Sequence, residues 1–143
     1  MSTIRSFVSA VGASLLVFAA LDAAAHHSAA QFDFGQRVTV EGIIKEFSVK
    51  NPHTMAIVEL SDEERGTRDA EFEGHSASHF YRAGYERGMA KPGDKIAILI
   101  APRGDGEDGG FIQAFTVNGR TIGFGGLSPE TGRPTASGST SGE

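Results

Sequence analysis

From Arg37 onward, apolar and polar residues alternate with a period of two, the spacing of half-buried β-strands rather than helices. Val38 and Val40 share one face of the first predicted strand. After Gly42 the apolar set moves to the odd positions Ile43, Phe47 and Val49. A phase change at a glycine inside a strand predicts a bulge or sharp coil, which lets a small sheet curl into a barrel. Asn51-Pro52 ends the strand, because proline has no N–H to donate to the ladder. Met55 to Leu60 forms a second strand with Ala56, Val58 and Leu60 on one face. A charged turn from Ser61 to Gly66 leads to a third strand, Arg68 to Glu73, carrying Ala70 and Phe72 inward.

The period then changes. Ser76 or Ser78 is suited to cap a short helix through Ala83, with Gly84 to close it and Phe80 and Tyr81 as its packing residues. Lys91-Pro92-Gly93-Asp94 reads as a tight turn. Lys95 to Ala101 is the clearest strand, with Ile96, Ile98 and Ile100 alternating against Ala97 and Leu99. A glycine- and acid-rich loop, Gly104 to Gly110, leads to a fifth strand at Phe111 to Val117. Asn118-Gly119 is a hairpin signal, so Arg120 to Phe124 returns as a short sixth strand. Three strands, a helix and two or three more strands predict an all-β domain with one short helix. The expected architecture is a small OB-like, five- or six-stranded antiparallel barrel. A β-sandwich is the competing arrangement, but the helix falls where such a barrel needs its plug.

The two ends have different compositions. Arg5 is followed by an almost unbroken apolar run, Val8 to Leu21, and then by Ala23-Ala24-Ala25. This is the layout of a secretory signal peptide with an A-x-A cleavage site. The expected organisation is a signal peptide over 1–25, a barrel domain over 26–124, and a disordered tail rich in Gly, Ser and Thr over 125–143. Cleavage after Ala25 leaves 118 residues (143 less 25), enough for one domain with one core. The product is expected to be periplasmic or secreted, and free of the membrane after cleavage.

Charge and cysteine content narrow the chemistry. A net charge of −5 argues against nucleic acid as the main partner. The chain has no cysteine, so neither disulfides nor thiol chemistry are available, and any metal must be held by His, carboxylate, Met or the terminal amine. No nucleophile–base pair or G-x-S-x-G elbow is present, so no enzymatic activity is predicted.

The histidines are the leading candidates for a site. Cleavage after Ala25 makes His26 the first residue, and its amine and ring nitrogens can chelate one ion. A further imidazole completes a nitrogen set favoured by copper. His53, behind the Asn51-Pro52 corner, is the proposed partner, with His27 assisting. The competing reading is an exposed terminus and a histidine serving only its own turn. Cleavage after Ala24 would put His26 second and give a less compact chelate. His75 and His79 are a weaker metal pair, four residues apart with Glu73 near; no H-E-x-x-H pattern supports a hydrolytic zinc site. The carboxylates between Asp105 and Gly110 depart from the EF-hand spacing, and Gly123-Phe124-Gly125-Gly126 lacks the context of a nucleotide loop.

Several of these pieces together resemble a known group: Ala25-His26-His27-Ser28, Phe32-Asp33, Val38 to Gly42, Asn51-Pro52-His53, and Lys91-Pro92-Gly93-Asp94. The chain resembles the bacterial exported family catalogued as domain of unknown function 6152, over roughly residues 25–122. The resemblance implies an exported small β-barrel and assigns no activity. Met55 stands where the family usually shows an aromatic, and His75 and His79 match none of its marker positions. The functional expectation is therefore a binding protein for a metal ion, copper favoured, through His26, His53 and His27. The alternative is a metal-free module that binds a small ligand, polysaccharide fragment or protein on a barrel face that includes Met55.

Overall fold

The computed structural model describes residues 30–130. The leader expected from sequence to be a signal peptide, His26 and His27 lie outside the described residues, as does the chain after Glu130. The barrel belongs to the unit that begins at Phe32. Its elements are β1 (Val38–Ser48), β2 (Thr54–Asp62), β3 (Gly66–Gly74), α1 (Ala77–Arg82), β4 (Lys95–Pro102), β5 (Gly110–Val117) and β6 (Arg120–Gly123). The strand order β3-β2-β1-β4-β5-β6, with an additional β3–β5 pairing, closes five strands into an OB-type barrel and leaves β6 as an appended edge. Among the described residues no helix is long and apolar enough to cross a membrane.

The barrel is mixed rather than wholly antiparallel. Its closing seam is parallel, with Phe72 opposite Gly110 and Glu73 opposite Phe111. The acid- and glycine-rich loop has a structural task at this seam. Gly109 has φ +118°, and a Cβ there would collide with the Glu71 carbonyl oxygen. A Cβ on Gly110 would lie 2.5 Å from the carbonyl oxygen of Ala101. Strands approach this closely only where side chains are absent.

The phase change in β1 is real but falls at Lys45, not Gly42. In the β1–β2 ladder Ile44 faces Val58 and Glu46 faces Ile57, so Lys45 is the extra residue of a bulge. The inward set is Val40 and Ile44 before the bulge and Phe47 and Val49 after it. Ile43 is therefore off the core face, and Val38 is 40% exposed. Gly42 marks a close approach instead: a Cβ there would lie 2.6 Å from Val58 Cγ1 and would collide with the Glu59 carbonyl. The Lys91–Asp94 turn supports this bend. The Gly93 N–H donates to the Ile44 carbonyl at 2.8 Å, and the Ile44 N–H donates to Asp94 O at 2.9 Å.

The core fills the barrel with Ala56, Val58, Leu60, Ala70, Phe72, Ile96, Ile98, Ile100, Ile112, Phe115 and Val117. Helix α1 closes one end through Phe80, whose ring is fully buried. Tyr81, its predicted packing partner, is 42% exposed, and Tyr85 and Met89 fill the space beyond the helix. The parity is simple: Phe80 points down, so its neighbour turns outward. Packing also continues past the predicted domain boundary at Phe124. Ser128 and Pro129 are buried, and Thr39 Oγ1 donates to the Pro129 carbonyl at 2.9 Å. Gly123 permits this return, since a Cβ there would collide with Leu127 O.

Candidate functional site

Three segments meet at the α1 end of the barrel. The corner between β1 and β2 is tied to the segment linking β3 and α1: the Ala77 N–H donates to Lys50 O at 3.1 Å, and the Thr54 N–H donates to His75 O at 3.0 Å. The corner histidine, His53, lies with Nδ1 in contact with Glu73 Oε1. Glu73 comes from β3, directly across from Met55. His53 keeps its Nε2 for other partners, the arrangement by which a carboxylate orients a metal-ligating imidazole.

His75 and His79 do not share a helix as the sequence spacing predicts. The helix starts at Ala77, so His75 precedes it. Ser76 occupies the N-cap position without a side-chain cap bond. Its hydroxyl instead hydrogen-bonds Ser78 Oγ and His79 Nδ1, each at 3.0 Å. The two rings nevertheless stack with centroids 5.2 Å apart. His75 also meets the Phe111 ring edge at 4.9 Å and the Phe124 ring at 4.6 Å. Burial lowers the His75 pKa below its ordinary 6.5, and the neighbouring His79 and then His53 lower it further. His75 is therefore neutral at pH 7. Glu73, suggested by sequence as a third ligand for this pair, is engaged with His53. Among the described residues no group of three or more His, Cys, Asp or Glu is placed to hold a metal ion.

What the histidines do line is a cleft of about 560 Å³. Its aromatic walls are Phe34, Phe111 and Phe124, and its polar groups are His75, His79, Arg82 and Gln113. Phe34 arrives from the arm preceding β1, 47% exposed, and stands 5.5 Å from Phe111. Phe124 is held by its N–H, which donates to Gln113 O at 3.0 Å. Gln113 owes its place to a second bulge. Ile100 faces Ile112 while Leu99 faces Ala114, so Gln113 is the unpaired extra residue of β5. Its Oε1 is buried with no hydrogen-bond partner.

Residues 13–113 match the model of a family of unknown function, DUF6152. The chain belongs to that family. Comparison with curated proteins and with solved structures gives no match.

A second cleft of about 470 Å³ lies over the Gly42 bend and mixes Glu41 and Glu59 with Lys95. Met55, the barrel-face residue singled out from sequence, lines neither cleft. Two of the three loop carboxylates that raised the question of calcium are used by arginines. Asp105 accepts from Arg103, which holds its pKa down to about 2, and Asp108 accepts from both Arg65 and Arg68. Sequence reasoning missed Phe34, Arg82, Phe111, Gln113 and Phe124 as a set. The one available signal was a glutamine amid the apolar residues of the fifth strand.

Proposed function

We propose that this DUF6152 chain is an exported binding module and that the cleft at the α1 end of its barrel takes a small ligand. The alanine-terminated leader supports export. The observation that carries the reading is convergence: Phe34, Phe111, Phe124, His75, His79, Arg82 and Gln113 line one space. A volume of about 560 Å³ falls within the range of small-molecule sites, which pair apolar walls with a few placed polar groups. The test is an NMR titration of the chain beginning at His26 with a panel of monocyclic aromatic compounds. Amide shifts should concentrate at Phe111, Gln113 and Phe124. Shifts confined to the residues around Gly42 and Lys95, or no shifts at all, would contradict the reading.

A second reading, uptake of copper, is favoured by one observation. The carboxylate of Glu73 holds His53 Nδ1 and leaves Nε2 as a ligand atom. In this reading His26 and His27 supply the further nitrogens once the leader is removed. A copper titration of the chain beginning at His26 tests it, with the His53→Ala variant beside it. Stoichiometric uptake weakened at least several-fold by the substitution supports it; identical uptake by both chains removes His53 from the site.

A further inference from the structure

The charge lining the cleft narrows the ligand class further. The protein carries a net charge of −5, yet no Asp or Glu is among the residues that line this space. Its formal charge comes from Arg82, at the last turn of α1, which has no ion-pair partner among the described residues. The other arginines that hold carboxylates, Arg65, Arg68, Arg103 and Arg120, all do so elsewhere on the barrel. A guanidinium at the mouth of an aromatic cleft binds a carboxylate through paired, charge-assisted hydrogen bonds. The rings of Phe34, Phe111 and Phe124 accept a flat ring by edge and face contacts.

Gln113 supplies the third element. Gln113 lines the cleft, and its Oε1, unpartnered and closed to solvent, gains a partner when the amide turns toward a ligand donor. A phenolic hydroxyl fits, because it both donates and accepts and so serves either end of the amide. The stacked imidazoles of His75 and His79 keep the pocket polar without adding negative charge, so a carboxylate entering it meets no like charge.

We infer that the cleft between α1, β5 and the segment after β6 binds a hydroxylated aromatic carboxylate, its ring against the cleft-lining rings of Phe111 and Phe124. The carboxylate lies at Arg82 and the hydroxyl at Gln113. This rests on the cleft being the binding site. It goes beyond that reading by requiring both an anionic and a hydroxyl group on the ligand.

The experiment is isothermal titration of the chain beginning at His26 with four probes: 4-hydroxycinnamate, cinnamate, 4-hydroxybenzyl alcohol and benzyl alcohol. 4-Hydroxycinnamate should bind most tightly. Arg82→Gln should weaken it about 3- to 10-fold and leave 4-hydroxybenzyl alcohol unchanged. Gln113→Leu should bring 4-hydroxycinnamate and cinnamate within about 2-fold of each other, from a preference near 10-fold in the parent. Should all four probes bind equally, with neither variant altering their order, the ligand class is overturned while the cleft remains the binding site. Should none bind, or should binding be untouched by Phe111→Ala, both the class and the cleft reading fall. Far-UV circular dichroism of each variant confirms that it is folded.

Discussion

Replacing Phe80 with alanine tests how the barrel holds its functional end. Phe80 is the buried residue of α1, and its ring lies within 4.9 Å of Phe124, 5.9 Å of Phe115 and 5.9 Å of Tyr85, centroid to centroid. Gly74 closes over it so tightly that a Cβ there would lie 3.1 Å from its ring atoms. Truncating a fully buried phenylalanine costs about 3–5 kcal/mol, and the lost ring–ring contacts put this site near 4 kcal/mol. Against a total stability of about 5–15 kcal/mol that is a large share, equivalent to a fall in Tm of about 15–30 °C. Tyr81→Ala, at a ring 42% exposed, should cost under about 1 kcal/mol. Urea unfolding followed by circular dichroism measures both. A Phe80→Ala cost below about 1.5 kcal/mol, or one equal to that of Tyr81→Ala, would refute the assignment of the buried helix face. Because α1 carries His79 and Arg82, the same variant should also lose ligand binding in step with its helix.

Three further outcomes follow from other groups of the barrel. Thr54 is fully buried and its hydroxyl lacks a partner, so Thr54→Val should leave stability unchanged or raise it by about 1 kcal/mol in urea unfolding; a loss above about 1 kcal/mol would mean that the hydroxyl is bonded. The depressed pKa of His75 means that the unfolded chain takes up a proton that the folded chain refuses, so its contribution to stability is complete above pH 6.5 and declines as pH falls below that value. Tm measured between pH 5 and 8 (about half a unit apart) should show this decline, and His75→Phe, which keeps the ring contacts, should flatten it; an unchanged slope would contradict the burial argument. Asp108 bridges Arg65 and Arg68 across the strand seam, and Arg68 foremost holds its carboxyl below the ordinary 3.8, so Asp108→Asn should cost about 1 kcal/mol at pH 7 and nothing once pH falls below the folded pKa. An equal cost at every pH would mean that the effect is steric.

The barrel was legible because its information is local. Alternation in β2 and β4 shows directly which residues face inward, and the change to helical spacing after Glu73 places the plug between the third and fourth strands. The errors arose where a single inserted residue shifts the phase. The bulge at Lys45 moves the buried position from Ile43 to Ile44, and nothing in lysine announces a bulge as glycine does. The parallel seam was hidden for another reason, since Phe72 and Gly110 are distant in sequence and pair only once the barrel closes.

The cleft was less legible than the fold. It combines Phe34, Arg82, Gln113 and Phe124, which come from four separate segments and have no shared spacing. Gln113 lines it only because the β5 bulge turns the side chain out of the ladder's rhythm. The histidines attracted attention by their type. His75 and His79 do meet, though across a helix start rather than along a helix, and His53 is occupied by Glu73.

The most direct measurement is a crystal structure of the chain beginning at His26 grown with 4-hydroxycinnamate. The account predicts the phenyl ring against Phe111 and Phe124, the carboxylate against Arg82 and the hydroxyl within hydrogen-bond distance of the Gln113 amide. Ligand density over Gly42 and Lys95 instead, with the α1 cleft holding none, would contradict it.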